Sequence, residues 1–123
     1  MKPFRFGWFG DNGLGERLIT AILEGRKSAT CCPAYDPEDA ALQVGDVLQL
    51  TDKHGKPRGS LVVTGIELRP FSSFDEPLAV RVGCTLQELV ENASFANGRP
   101  MRQDEEMRVV HFEVVRSGAK IKI

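Results

Sequence analysis

Residues 25–30 read Gly-Arg-Lys-Ser-Ala-Thr, and they stand where a helical pattern gives way to a strand pattern. Four apolar residues before this stretch recur at helical spacing: Leu14, Leu18, Ala21 and Ile22. The spacing predicts an amphipathic helix over 14–24 that stops at Gly25. Beyond Gly25 the apolar residues no longer recur at helical spacing. We expect a short strand there that ends at Pro33, because proline cannot donate a hydrogen bond to a sheet. The stretch 25–30 is therefore the expected turning point of the fold.

Strand patterns follow on the C-terminal side. Residues 47–51 and 60–68 are rich in Val, Leu and Ile, and the polar stretch 52–57 between them predicts a hairpin turn. A last strand is expected over 107–115, where the side chains alternate between two faces. Sequential hairpins favour an antiparallel sheet, and a small sheet protects its edges by curling into a barrel. The sequence therefore predicts an α+β fold built on a small curled sheet.

Shorter elements flank these strands. Aromatic residues alternate with others over 4–8, which predicts a short strand or apolar arm with Trp8 in the core. A short helix is expected over 74–82. Thr85 with Glu88 three residues later is the pattern of a capping box, so a further helix should begin there and run to about residue 93.

The composition is that of an ordinary single domain. The chain has 123 residues, of which 41% are hydrophobic and 27% charged, and its formal net charge is −1. This balance gives no overall attraction to nucleic acid or to a membrane surface. The cysteines number three, an odd count that argues against a disulfide framework, and neither a signal peptide nor a membrane-spanning run is seen. We therefore expect a cytoplasmic protein without membrane association.

Few residues indicate metal or triad chemistry. Cys31 and Cys32 are adjacent, whereas zinc sites usually place about two to four residues between paired cysteines, so we interpret them as buried thiols. His54 in the predicted hairpin turn and His111 in the last strand form no recognisable triad. The acidic run 104–106 is interpreted as a solvated turn. We expect no metal and no cofactor.

The stretch 25–30 fits a short pattern, Gly-x-Lys-x-x-Thr after a helix, and three later segments accompany it. They are Val44-Gly45-Asp46-Val47, the hairpin 52–57 and Val109-Val110-His111-Phe112-Glu113. In this order the segments resemble the ASCH (activating signal cointegrator homology) domain, from about Phe9 to Val115. The resemblance implies one ASCH-like domain over 1–123 with a PUA-like fold. That fold is a small curled antiparallel or mixed β-barrel with two or three short flanking helices and a cleft beside Lys27.

The resemblance also implies a class of ligand. ASCH domains are associated with binding of RNA or modified nucleosides. Some relatives are small amidohydrolases that deacetylate N(4)-acetylcytidine with a lysine, a threonine and a glutamate, and others are reported to have ribonuclease activity. By position, Lys27 matches the lysine and Thr30 the threonine, but the glutamate position holds Val82. Three other carboxylates are candidates to replace that glutamate: Glu67, Asp75 and Glu76.

Three functions remain open from the sequence. The leading hypothesis is binding of RNA, single-stranded nucleic acid or a modified nucleoside, with Lys27 as an ammonium that contacts a phosphate or carbonyl oxygen. Further phosphate-binding or base-stacking candidates are Arg26, Tyr35, Arg69 and Arg81. The alternative is a metal-independent amidohydrolase or ribonuclease with Lys27 and Thr30 as catalytic residues, which requires a lowered lysine pKa. The third is a protein-interaction domain that retains only the barrel.

Overall fold

The structure, a computed structural model, describes residues 2–37 and 41–115. Its elements are, in chain order, β1 (Lys2–Arg5), α1 (Leu14–Leu23), β2 (Ala29–Pro33), β3 (Val47–Thr51), β4 (Pro57–Pro70), a 3-10 turn (Phe71–Ser73), α2 (Glu76–Val82), α3 (Leu86–Asn97) and β5 (Glu106–Val115). The remaining residues of the expected 1–123 domain lie outside this description. Within the described residues, no helix combines the length and the apolar character that crossing a bilayer requires.

The five strands form one mixed sheet in the order β1-β3-β4-β5-β2. The sheet curls into a half-barrel, which confirms the predicted α+β class and the small curled sheet. β1 pairs with β3 in parallel, and the other three pairings are antiparallel. Parallel neighbours need a long crossover, and here α1 and β2 lie in the chain between β1 and β3. The arrangement is therefore mixed rather than wholly antiparallel.

Two hydrophobic clusters lie on opposite faces of the sheet. β5 shows this directly, because Val110 and Phe112 belong to one cluster whereas Met107 and Val109 belong to the other. The first cluster is closed by α1 and contains Phe4, Phe6, Ile19, Ile22, Leu42, Leu48, Leu50, Leu61 and Val63. The second is closed by α2 and α3 and contains Ala29, Phe71, Phe74, Leu78, Ala79, Val82, Leu89 and Met101. The helices therefore sit on both faces of the sheet.

The helix that begins after Thr85 has the predicted capping box. The Glu88 N–H donates to Thr85 Oγ1 at 3.1 Å, and the Thr85 N–H donates to Glu88 Oε1 at 3.0 Å. These two bonds satisfy donors that a helix start leaves open. α3 continues to Asn97, about one turn beyond the expected end, and stops at Gly98 with φ +67°. This helix forms one wall of the candidate site.

Candidate ligand-binding cleft

The end of α1 turns the chain inward at the stretch 25–30. Gly25 has φ +82°, and its N–H donates to the Ile22 carbonyl at 3.0 Å. The Arg26 N–H donates to the Ala21 carbonyl at 2.8 Å, which completes a Schellman motif. The Lys27 N–H reaches the same Ala21 carbonyl at 3.1 Å. Because this left-handed turn reverses the chain, the side chain of Lys27 enters the protein.

Lys27 is buried, with only 3% of its surface exposed. Its Nζ donates to the Ala29 carbonyl at 2.7 Å and to the Val82 carbonyl at 3.3 Å. The amine also lies 5.8 Å from the centroid of the Phe6 ring, within the range of a cation–π contact. These partners come from β2, α2 and the segment after β1, so the tertiary fold fixes the position of the amine.

Burial lowers the pKa of Lys27 to about 8, and the nearby thiols of Cys31 and Cys84 act in the opposite direction. Among the residues that the structure describes, no carboxylate lies within ion-pair distance of Lys27 Nζ.

The three carboxylates that were candidates to replace the missing glutamate do not contact the Lys27 amine. Glu67 meets His111 at 2.8 Å, Asp75 caps α2 through the Leu78 N–H at 3.1 Å, and Glu76 is exposed at the start of α2. The charge of Lys27 therefore has no counterion in the described part of the chain.

A cleft of about 350 Å³ lies between α1 and α3. It is lined by one face of α1 between Leu14 and Ala21, by Glu88 and Asn92 of α3, and by Arg26, Gly83 and Cys84. Lys27 does not line the cleft, but it lies directly behind Gly83, which does line it. A Cβ placed on Gly83 would be 3.2 Å from the Cβ of Lys27. The buried amine therefore belongs to the structure that supports the cleft, and its burial prevents direct contact with a phosphate.

The acidic residues of the cleft are already satisfied, whereas a basic one is not. Both carboxylate oxygens of Glu16 accept from Arg58, at 2.8 and 2.9 Å, and Glu88 is held by the capping box. Arg17 Nη1 donates to the neutral Asn12 carbonyl at 3.0 Å. Arg26 pairs with Glu24 at 2.6 Å, but both side chains are exposed and such surface pairs exchange readily. Two acidic and two basic residues therefore line the cleft, and Arg17 is the one whose described hydrogen bond goes to a neutral carbonyl.

Thr30 lies on β2, where it pairs with Val110. Strand alternation places its side chain on the face of the first cluster, whereas Ala29 and Cys31 face the second. No hydrogen bond joins Thr30 to Lys27 in the described part of the chain. A direct Thr30–Lys27 hydrogen bond of the kind a hydrolase would use is thus not among the contacts of the described residues.

The predicted binding residues are spread over several places. Arg26 lines the cleft. Arg81 is exposed at the end of α2, and its carbonyl accepts from the Ser28 N–H at 2.7 Å, which places it beside the turn that leads to Lys27. Arg69 lies apart from them, because its guanidinium bonds Ser73 and pairs with Glu67 at 3.4 Å and with Asp75 at 3.5 Å.

Tyr35 lines a different, larger cavity of about 760 Å³. Its side chain is 68% exposed, and its hydroxyl accepts from Arg99 Nη2 at 3.1 Å. Arg99 also donates to both carboxylate oxygens of Glu105, at 3.0 and 2.7 Å. Glu105 is buried, so the interpretation of the whole run 104–106 as a solvated turn is wrong at this residue. The sequence feature that could have indicated a buried Glu105 is Arg99, an oppositely charged residue six positions earlier that folds back onto the acidic run.

Trp8 is not in the core, and that prediction is wrong. Its side chain is 37% exposed and packs on Phe95 of α3, with ring centroids 5.5 Å apart. The physical reason lies in Gly7, whose φ of +101° ends the extended arm and turns the following residue outward. Sequence alternation alone could not reveal this break, because glycine fits a strand pattern and a turn equally well.

The chain is a small α+β half-barrel domain, because its sheet is mixed and curled, helices lie on both faces of the sheet, and a cleft lies between α1 and α3. The model of the ASCH domain family matches residues 5–116, and the chain belongs to this family.

Solved structures agree with this assignment at the level of the fold. A crystal structure of an ASCH domain from Lactobacillus crispatus is 20% identical, with a TM-score of 0.72 over 92% of this chain and 79% of that one. A protein from Enterococcus faecalis is 22% identical, with a TM-score of 0.73 over 100% of this chain and 85% of its own. No curated protein gives a significant match.

Proposed function

We propose that this ASCH domain binds RNA, as a single strand or as a modified nucleoside, in the cleft between α1 and α3. The observation that carries the proposal is the Lys27 amine. It lies buried behind the cleft wall without a carboxylate among the described residues. A charge in such a low-dielectric place is weakly screened, so it attracts an anionic ligand more strongly than a surface lysine would.

The surroundings of the cleft support an anionic ligand. Among the described residues, Arg17 donates to a neutral carbonyl and Arg26 pairs with one exposed glutamate, Glu24. Both can contact the phosphates of a strand that lies along the cleft, and Arg81 is a further candidate at the Arg26 end. The volume of about 350 Å³ is in the range of small-molecule sites, so an unpaired nucleoside is of suitable size. An open cleft also favours a ligand-binding role over a pure protein-interaction role.

Binding is better supported than hydrolysis. A threonine nucleophile needs a general base within hydrogen-bond reach, and no bond joins Thr30 to Lys27 in the described part of the chain. The glutamate position is Val82, whose backbone carbonyl, not a carboxylate, accepts from the amine. The lowered pKa of Lys27 is the one feature that a hydrolase would share.

We expect Arg17→Gln and Arg26→Gln each to weaken binding of a short single-stranded RNA about fivefold at 0.1 M salt. Each arginine that contacts one phosphate should contribute roughly 0.7 to the slope of log affinity against log salt, so both variants should show a shallower slope. The measurement is fluorescence anisotropy of labelled RNA over a range of salt concentrations. Arg102→Gln is the matched control, since Arg102 is exposed and lines the other cavity.

Equal effects of all three substitutions would mean that binding is a diffuse surface property and not a property of this cleft. Lys27→Met should also weaken binding, because it removes the charge behind the cleft wall. Release of cytidine from N(4)-acetylcytidine by the wild-type protein, lost in Lys27→Met, would instead favour the hydrolase.

A further inference from the structure

Two aromatic side chains from different elements meet at the surface beside the cleft. Trp8 follows β1, and Phe95 lies in the last turn of α3. Their ring centroids are 5.5 Å apart with an interplanar angle of 42°, and 37% of Trp8 and 44% of Phe95 remain exposed. Large aromatic residues usually bury this surface, so an exposed pair requires an explanation.

The loop that presents Trp8 is held rigidly from within. Asp11 is buried, and its carboxylate accepts from the N–H groups of Trp8 at 3.2 Å, Gly13 at 3.0 Å and Gly15 at 3.0 Å. Burial alone would raise the pKa of Asp11, but the three backbone donors and Lys53 together hold it below its ordinary value. The outward position of Trp8 is therefore built into the fold by a buried, charged side chain.

The aromatic pair lies at one end of the cleft. On α3, Glu88 and Asn92 line the cleft, and Phe95 continues the same helical stripe three residues later. On the other wall, the loop with Trp8 leads directly into Leu14, the first cleft residue of α1. The opposite end is marked by Gly83, where an added Cβ would be 3.2 Å from the Arg26 carbonyl. The pair and the arginine thus lie at opposite ends of one groove.

We propose that the Trp8–Phe95 pair is a stacking platform for an unpaired base of single-stranded RNA whose backbone follows the cleft toward Arg26. This inference rests on the proposed function and adds the residues that hold a base. Stacking on exposed rings is the usual way in which proteins hold unpaired bases, and it tolerates any sequence because every base has a π-face.

The charges around the pair fit RNA better than an apolar protein surface. Arg17 bonds the Asn12 carbonyl in the loop itself, at 3.0 Å. Lys53 lies 3.8 Å from Asp11 Oδ1 and 5.7 Å from the ring centroid of Phe9, the exposed residue after Trp8. Two cations, Arg17 and Lys53, therefore contact the loop, where the phosphates beside a stacked base can meet them. The exposed rings of Trp8, Phe9 and Phe95 together still offer far less apolar area than the roughly 800 Å² per partner that a stable protein interface buries.

The test uses the tryptophan itself, because Trp8 is the sole tryptophan of the chain. The probe is a single-stranded oligoadenylate of about eight nucleotides, within the range of known site sizes. We expect addition of this strand to quench the Trp8 emission. The midpoint of the quenching curve should equal the midpoint of the anisotropy titration with the labelled strand. Trp8→Leu and Phe95→Leu should each weaken binding about 5- to 150-fold. Tyr35→Leu, an exposed aromatic residue of the other cavity, should leave binding unchanged, and the unfolding curve of each variant reports whether it folds.

The outcomes separate the platform from the proposed function. If the labelled strand binds, responds to Arg17→Gln and Arg26→Gln, and leaves both the Trp8 emission and the Phe95→Leu affinity unchanged, the platform is overturned and RNA binding stands. Absence of any RNA binding overturns both. A Trp8 emission that shifts with protein concentration in the absence of RNA would assign the pair to a contact between two copies of the chain, and this also overturns the platform.

Discussion

Replacing Gly15 by alanine is expected to destabilise the protein by about 3 kcal/mol or more. A Cβ at this position would lie 2.3 Å from Gly7 Cα, 2.8 Å from the Gly7 nitrogen and 2.8 Å from Asp11 Oδ2. The nearest atoms belong to the backbone, so a change of side-chain rotamer cannot relieve the overlap. The first turn of α1 and the loop that presents Trp8 would have to separate, with loss of the Asp11 hydrogen bonds.

The matched control is Gly10→Ala in the same loop. Gly10 has φ +96°, but a Cβ there would meet no atom of the described residues within 4 Å, so the expected penalty is that of the left-handed conformation, about 1–2 kcal/mol. Urea unfolding of both variants gives the comparison. Equal losses of stability would show that Gly15 does not pack against Gly7. A larger loss at Gly15 should be accompanied by a change in Trp8 emission, because the same contact positions that ring.

The free energy of unfolding of the wild-type protein, relative to that of Lys27→Met, should rise by about 3 kcal/mol between pH 8 and pH 10.5. Burial lowers the pKa of Lys27 from its ordinary 10.5 to about 8 in the folded state. In this window the unfolded chain binds a proton that the folded chain does not, so stability increases with pH. Above pH 10.5 the amine is neutral in both states, and below pH 8 it is charged in both.

The comparison with Lys27→Met is necessary because Cys31 acts in the opposite sense. Burial raises the pKa of this thiol to about 12 from an ordinary 9.0. Its contribution to stability is complete below pH 9 and is lost as the pH rises toward 12, which masks part of the lysine effect in the wild-type curve. Both proteins carry Cys31, so the difference between their curves removes the thiol's own burial effect and reports the amine together with its charge coupling to that thiol. A difference that stays constant from pH 7 to 10.5 would mean that Lys27 is solvated.

The local parts of the site could be predicted from sequence. The α1 stop at Gly25 and the capping box of Thr85 depend on residues close in the chain, and both are present. The curled α+β sheet was also predictable, because strand periodicity and hairpin spacing are local signals. The position of Lys27 after the helix stop followed from the same pattern.

The environment of each candidate side chain could not be predicted, because it depends on distant residues. Phe6 and Val82 lie far from Lys27 in sequence, and their contacts turn an apparently ordinary lysine into a buried amine. Tyr35 is near the motif in sequence, yet its bond to Arg99 draws it into another cavity. Trp8 obeys a strand pattern, but a left-handed glycine before it turns the ring toward α3.

The most direct test of this account is an NMR titration of the Lys27 amine, with its signal assigned by its loss in Lys27→Met. We expect a pKa of about 8 in the free protein. In the presence of saturating single-stranded RNA the pKa should rise, because phosphates near the cleft favour the charged amine. A Lys27 amine that titrates at the ordinary lysine value of about 10.4 in the free protein, and does not respond to RNA, would contradict a buried charge behind the cleft.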